Sequence, residues 1–218
     1  MKTLVVYGGR FQPPHKGHKS SYDHLAQKFG ANSVFMASAE KATGPRDPFS
    51  WNEKKRIATA MGIPANKFVK VKSPYVEKFI KDAIPFSDTD TVIILAVSQK
   101  DGDRLVGANT DAEGYAVKKN GERAAIQWLR KDAQPVSSGH MYAYVTPTIE
   151  FPVAGKKVKG ATQIRDMYAT ATDKNRGKIL ADLYGDVPQG LRNLFDKKLG
   201  VVQTEDLIRE FVEFITKF

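Results

Sequence analysis

The sequence predicts an α/β protein built on a doubly wound parallel sheet. Short apolar runs alternate along much of the chain with amphipathic stretches, the pattern of repeated strand–helix units. One run, Thr-Val-Ile-Ile-Leu-Ala-Val over residues 91–97, is apolar on both faces, as a central parallel strand must be. Polar segments follow several of these runs. In such sheets ligands bind in the crevice outside the carboxyl ends of the strands, so these segments are expected to converge on one site.

Each element can be justified in order. Leu4-Val5-Val6-Tyr7 is too short for a helix and lacks a helical period, so it reads as a buried strand. Residues from about Ser20 to Phe29 place Tyr22, Leu25, Ala26 and Phe29 at helical spacing. Ser33 to Ala37 is the second strand. A Gly- and Pro-bearing loop then runs to Ser50, which opens a helix with Glu53 as its capping-box partner; Gly62 ends that helix before Pro64. Lys67 to Val71 is a third strand, and Pro74 opens a helix bearing Val76, Phe79, Ile80 and Ala83.

Beyond the 91–97 strand, Gln99 to Gly121 reads as a long polar loop with four glycines, a length that marks a substrate lid or a mobile surface loop. Glu122 to Leu129 is expected to be a helix with Ala125, Trp128 and Leu129 inward. His140 lies in a loop and is read as incidental. Tyr142 to Val145 and Thr148 to Phe151 are expected as short strands. From about Asp166 the chain reads as helical, with stripes at Ile179, Leu180 and Leu183 and at Leu191, Leu194 and Phe195. A final amphipathic helix carries Leu207, Ile208, Phe211, Phe214, Ile215 and Phe218 and is a candidate subunit contact, making a homo-oligomer an option. The expected division is an α/β domain over residues 1–165 and a helical tail over 166–218 packed on the sheet.

Composition narrows the function. The 218 residues include no cysteine, which excludes disulfides, thiolate metal sites and a cysteine nucleophile. No run approaches membrane-spanning length and the chain opens on a strand rather than a signal peptide. A cytoplasmic protein without membrane contact is the expectation. The net charge of +10 favours polyanionic ligands: nucleoside triphosphates, dinucleotides or, less favoured, nucleic acid.

The chemistry-bearing stretch is Gly8-Gly9-Arg10-Phe11-Gln12-Pro13-Pro14-His15-Lys16-Gly17-His18, between the first strand and the first helix. Gly8 and Gly9 allow a ligand close to the backbone. Pro13 and Pro14 stiffen the loop. The helix start offers unpaired N–H groups and a partial positive charge, while Arg10 and two imidazoles add donors for anionic oxygens. The turn is a phosphate cradle, although it matches neither G-x-x-x-x-G-K-[ST] nor G-x-G-x-x-G.

This segment resembles the H-x-G-H signature of the nucleotidyltransferase superfamily. Its fuller form, G-R-F-Q-P-x-H-x-G-H, is most similar to nicotinamide-mononucleotide adenylyltransferases of the archaeal and bifunctional bacterial types. Two further segments add to the likeness. Arg46-Asp47-Pro48-Phe49-Ser50-Trp51-Asn52-Glu53-Lys54 looks like N-P-F-T-x-x-E-R. Gly160-Ala161-Thr162-Gln163-Ile164-Arg165 resembles the I-S-G-T-x-I-R signature, with Gly160 and Ala161 where small hydroxyl residues are usual. From the residues, Thr162 is the expected N-cap of the following helix, with Arg165 in its first turn.

The resemblance implies a Rossmann-like nucleotidyltransferase fold and transfer of AMP from ATP to a phosphorylated acceptor, with nicotinamide mononucleotide favoured. It implies His15, His18 and Arg165 as catalytic residues. Gly8, Gly9, Arg10, Phe11, Gly17, Thr162 and Ile164 are implied at the ATP and its phosphates, and Arg46, Phe49, Trp51 and Lys54 on the acceptor side. Mg²⁺ is expected to ride on phosphates and water, with no protein metal cage. The alternatives are phosphopantetheine adenylyl transfer, cytidylyl transfer, or a catalytically weak nucleotide- or nucleic-acid-binding module.

Overall fold

The computed structural model describes residues 1–40, 42–186 and 188–199. The expected final helix over 207–218 lies outside these described residues. Six strands form one parallel sheet: β1 (Lys2–Gly8), β2 (Val34–Ser38), β3 (Phe68–Lys70), β4 (Thr91–Val97), β5 (Ile126–Trp128) and β6 (Met141–Val145). Their spatial order is β3-β2-β1-β4-β6-β5. The register sets Val5 beside Val34 on one side and beside Ile94 on the other. The chain therefore winds outward from β1 in both directions, and the switch point falls between β1 and β4.

Alternation along the strands supplies two cores. Leu4, Val6, Ile93 and Leu95 face one side, and Val5, Tyr7, Val34, Met36 and Ile94 the other. Helix α1 (Lys16–Phe29) follows β1, α2 (Trp51–Ala60) follows β2, α3 (Glu77–Ala83) follows β3 and α4 (Gln99–Val106) follows β4. The capping box expected at Ser50 and Glu53 is present, and Gly62 turns the chain at φ +85° after α2.

Four sequence expectations need correction. The first helix starts at Lys16 rather than Ser20, so His15 is its N-cap residue and His18 its third helical residue. The stretch from Gln99 is not all loop. Ser98 Oγ accepts from the Asp101 N–H at 3.2 Å and starts α4. Its internal Gly102 suits close packing, because a Cβ there would meet the Trp128 ring at 2.5 Å. The remainder folds back through isolated bridges, Thr110 with Ala116 and Val117 with Arg123.

The helix expected over 122–129 is instead strand β5, paired in parallel with β6. Gln127 misled the periodicity. It is buried and serves as a backbone mimic, accepting from the Ala116 N–H at 2.6 Å and donating to the Ala116 and Ala124 carbonyls at 3.0 and 2.7 Å. The strand expected at Thr148–Phe151 is a hairpin of β7 (Phe151–Val153) and β8 (Lys156–Val158), turning at Ala154 (φ +48°) and Gly155 (φ +78°). Positive φ at both central residues suits the right-handed twist of a two-residue hairpin.

Helices α5 (Ala161–Ala169), α6 (Asp173–Tyr184) and α7 (Gln189–Lys198) follow. Their apolar faces, with Ile164, Tyr168, Ile179, Leu183, Leu191 and Phe195, share a third core with Phe151, Val153 and Val158 of the hairpin and with Phe49 and Ile57. The C-terminal region is thereby tied to the loop and helix that follow β2. The Tyr184 hydroxyl also donates to the Pro14 carbonyl at 2.8 Å, which reaches the turn after β1.

Candidate active site

The turn between β1 and α1 is held by its own residues. Phe11 is buried with φ +49°, a conformation that costs a non-glycine residue free energy and persists only when packing enforces it. That packing is aromatic: the Phe11 ring meets His18 edge-on at 4.8 Å and Tyr7 at 5.4 Å. Gly9 makes room for it, since a Cβ there would come within 2.8 Å of the same ring. Gly17 has the same use on the other side, where a Cβ would meet Phe151 at 2.9 Å.

His15 and His18 stack at 3.6 Å between ring centroids, and the His15 N–H donates to His18 Nδ1 at 3.2 Å. In a neutral ring an accepting Nδ1 places the proton on Nε2. Burial pushes the His15 imidazole down to about 4, and burial followed by the neighbouring His15 pushes His18 well below the ordinary histidine value. Both rings are therefore neutral near pH 7 and act as hydrogen-bond donors rather than as charges. His15 Nδ1 is buried and has no hydrogen-bond partner among the described residues.

Gln12 joins the turn to the loop that precedes α2. Its amide donates to the Phe49 carbonyl and accepts from the Phe49 N–H, both at 2.8 Å. Sequence reasoning passed over Gln12, although a buried amide inside a proline-rich turn is a signal of such a clamp. On the far side, one guanidinium nitrogen of Arg165 donates to the Gln12 carbonyl. The other donates to Thr162 Oγ1 at 3.2 Å. Helix α5 thus brings its guanidinium to the early turn, near Arg10, Arg46 and Asp47. The N-cap of α5 is Gly160 rather than the expected Thr162, which sits at the second helical position. Thr162 satisfies Arg165 instead of the helix end.

A cleft of about 860 Å³ opens beside this turn at the carboxyl ends of the strands. Gly8, Gly9 and Arg10 line it after β1, Ala39, Arg46, Asp47 and Lys54 after β2, Lys72 to Tyr75 after β3, and Lys100, Asp101 and Arg104 after β4. Six cationic side chains face two carboxylates across that lining, Arg10, Arg46, Lys54, Lys72, Lys100 and Arg104 against Asp47 and Asp101. The balance fits a ligand with several negative charges. The segment 72–75 crosses to Gly8 so closely that a Cβ there would lie 2.7 Å from the Pro74 ring. Lys72, Ser73 and Tyr75 were not anticipated, because nothing local marks the end of a three-residue edge strand as part of a site; Arg104 was missed because the stretch from Gln99 reads as loop and not as α4.

The remaining candidates divide. Arg10 pairs with Asp47 at 3.7 Å and both line the cleft. Lys54 lines it from a buried position. Phe49 and Ile164 are fully buried and belong to the third core. Trp51 packs against Phe68 at 6.2 Å and does not line the cleft. His15, His18, Thr162 and Arg165 border the turn without lining the cleft itself. Among the described residues no group of three His, Asp or Glu gathers into a metal site, and no helix is long and apolar enough to cross a membrane.

The turn lies at the sheet's switch point with a cationic cleft beside it, the place where doubly wound α/β proteins bind their ligands, and the protein is an α/β member of the nucleotidyltransferase superfamily. The sequence profile of the cytidylyltransferase-like family matches residues 6–140, more than half of the chain, and the chain belongs to that family. The matched stretch ends before Thr162 and Arg165. No curated protein matches the sequence.

Among solved structures the fold is similar to that of a bifunctional NMN adenylyltransferase/ADP ribose pyrophosphatase from Francisella tularensis. The two are 13% identical, with a TM-score of 0.50 over 100% of this chain and 57% of the other. The same enzyme complexed with AMP and a Mn ion aligns with a TM-score of 0.51 and the same identity and coverage. A nicotinic acid mononucleotide adenylyltransferase from Plasmodium falciparum, complexed with APC, is 12% identical over 90% of this chain and 98% of its own, with a TM-score of 0.49. The chain thus spans little more than half the length of the bifunctional enzyme, and the likeness to that enzyme concerns the fold. Family membership supports nucleotidyl transfer as the class of chemistry.

Proposed function

We propose that the protein transfers AMP from ATP to a phosphorylated acceptor, with nicotinamide mononucleotide as the favoured acceptor and NAD and pyrophosphate as products. The observation that carries the reading is the contact of Arg165 with the Gln12 carbonyl, which brings the late guanidinium to the early turn beside a six-cation cleft. An acceptor phosphate oxygen attacks the α-phosphorus of ATP, the bond to the α–β bridging oxygen breaks, and pyrophosphate departs. A phosphate monoester is already a nucleophile near neutral pH, so no general base is needed. What remains for the protein is positioning and stabilisation of charge on the transferring group and the leaving group.

The roles follow. His18 donates from Nε2 to the transferring phosphoryl group and His15 holds the His18 ring by stacking. Arg165, Thr162 and the free N–H groups at the start of α5 serve the β and γ phosphates. Arg10 and Arg46 neutralise charge between the two substrates. Mg²⁺ supplies further charge neutralisation when bound with ATP. Phosphate and water oxygens would supply its shell, since the two carboxylates lining the cleft pair with Arg10 and Arg104.

The test is pyrophosphate release from ATP and Mg²⁺ with a panel of phosphorylated acceptors, CTP replacing ATP in a parallel series. Saturable release with nicotinamide mononucleotide and ATP is the expected result. Release only with CTP and a phosphorylated alcohol would replace the acceptor and nucleotide assignment. No release with any pair, together with nucleic-acid binding that weakens steeply with salt, would leave a binding module.

A further inference from the structure

The peptide between Pro14 and His15 is hydrogen-bonded at both ends. Its carbonyl accepts from the Tyr184 hydroxyl at 2.8 Å, and its N–H donates to His18 Nδ1 at 3.2 Å. The two bonds share one planar unit and run in series, from the last residue of α6 to an imidazole of the turn after β1. Pro13 and Pro14 bring no N–H of their own, so the turn takes donors from the C-terminal helices for its carbonyls. Arg165 serves that of Gln12 and Tyr184 that of Pro14.

Bonds in series polarise one another, most of all where water is excluded. We infer that Tyr184 is a positioning residue for the reaction: its hydroxyl polarises the Pro14–His15 peptide, strengthens the N–H donated to His18 Nδ1, and so keeps the His18 proton on Nε2. The opposite tautomer would set two donors against each other, the His15 N–H and an Nδ1–H, and would turn Nε2 into an acceptor that repels phosphate oxygens. The use of Nε2 at a phosphoryl group rests on the adenylyl-transfer reading; the relay from Tyr184 to His18 does not.

The fold commits Tyr184 to this donation. Its ring is partly buried against the third core and meets Phe195 at 5.7 Å, which fixes where the hydroxyl points. Burial pushes the phenol well above its ordinary value, so the hydroxyl keeps its proton. Tyr184 also lies outside the stretch matched by the family profile, residues 6–140. The support for His18 thus comes from a part of the chain that the shared nucleotidyltransferase pattern does not include.

The experiment reads the His18 ring directly. The full chain is labelled at the histidine ring nitrogens for NMR near neutral pH; it has four histidines, and His18→Ala assigns the ring in question. In the wild type, Nδ1 is expected as a hydrogen-bonded acceptor and Nε2 as the protonated nitrogen. Tyr184→Phe keeps the ring and removes the hydroxyl. Its His18 Nδ1 signal should move toward that of an unbonded acceptor. Its kcat for pyrophosphate release should fall about tenfold, with the ATP KM within about twofold of wild type. Leu183→Ala is the control: it cuts a neighbouring side chain buried in the third core, lowers Tm and leaves the His18 signals in place. If Tyr184→Phe does not fold, the wild type still decides, because its Pro14 carbonyl carbon should resonate as a hydrogen-bonded carbonyl. A wild-type His18 protonated on Nδ1, an unbonded Pro14 carbonyl, unchanged His18 signals in Tyr184→Phe, an unchanged kcat in an active Tyr184→Phe enzyme, or an equal displacement of the signals in Leu183→Ala would overturn the inference. A Tyr184-dependent shift of the His18 signals without pyrophosphate release from any substrate pair would leave the relay standing and remove the adenylyl-transfer reading.

Discussion

The guanidinium of Arg165 donates to the backbone carbonyl of Gln12, a residue 153 positions earlier in the chain. The contact joins the start of α5 to the turn after β1, and the proposed catalytic site depends on it. Gln12 in turn holds both the N–H and the carbonyl of Phe49, so the first turn, the loop before α2 and α5 form one hydrogen-bonded unit.

Replacing Arg165 separates charge from geometry. Arg165→Lys keeps a cation but loses the planar fork that serves the Gln12 carbonyl and Thr162 Oγ1 together. A fall in kcat of roughly 10²-fold is expected, the scale seen when one donor to a developing charge is removed. Pyrophosphate release measures it, and a loss confined to the ATP KM would place Arg165 in ground-state binding only.

His18→Ala should cost roughly 10²-fold or more in turnover by the same reasoning. Phe11 loses its edge-on partner in that variant, so thermal unfolding is measured alongside. Turnover within about threefold of wild type would reject the role of Nε2 as a donor.

The imidazole of His15 predicts an acid-sensitive fold. Its folded value near 4 lies below the ordinary 6.5, so the unfolded chain binds more protons between these limits. Stability should therefore be complete above pH 6.5 and fall as pH drops toward 4, by up to about 3 kcal/mol from this group. Urea melts at pH 7 and pH 4.5 measure the difference, and His15→Asn should reduce it, with buried His18 keeping its own share. An unchanged slope in that variant would show that other groups govern acid unfolding.

Phe49 and Trp51, neighbours in sequence, should behave differently. Phe49 is fully buried against Phe195 at 5.1 Å, and Phe49→Ala should cost about 3–5 kcal/mol through the cavity it leaves. Trp51→Ala removes a partly buried ring outside the cleft lining, so a selective rise in acceptor KM is not expected from it. Denaturation and acceptor titration on both variants test this. A selective KM rise in Trp51→Ala would return that ring to the substrate.

Gly160 offers a gain. A Cβ there meets nothing within 4 Å, and the backbone, at φ −175°, is extended and open to any residue. Gly160→Ser supplies the side-chain cap that α5 lacks and should add a few tenths of a kcal/mol. It also adds a hydroxyl at the helix start where the proposed β and γ phosphates sit. A rise in Tm with equal or higher kcat/KM is expected; a fall in both would mean that the site needs bare backbone there.

The sequence carried local information well. The strand at 91–97 appears with the bounds its apolar run implied, and the Ser50–Glu53 capping box was readable because all its partners lie within four residues. The misread elements share a cause. Gln127 looks solvent-facing in a linear pattern, and only the position of Ala116 across a fold of the chain makes its burial favourable. Likewise Gly102 in α4 reads as loop until the Trp128 ring is set against it.

Chain order alone determined the alternating parallel architecture and the cationic character of the protein and singled out the turn after β1, because strand period, turn chemistry and charge are properties of neighbouring residues. Tertiary structure decided which charges work together. It carried Arg165 to Gln12, buried Phe49 and Ile164 in the third core, and placed the Lys54 ammonium against Ser38 Oγ and the Ala39 carbonyl. Those outcomes depend on packing between distant segments, where burial sets the cost of each charge and decides which polar group can satisfy it.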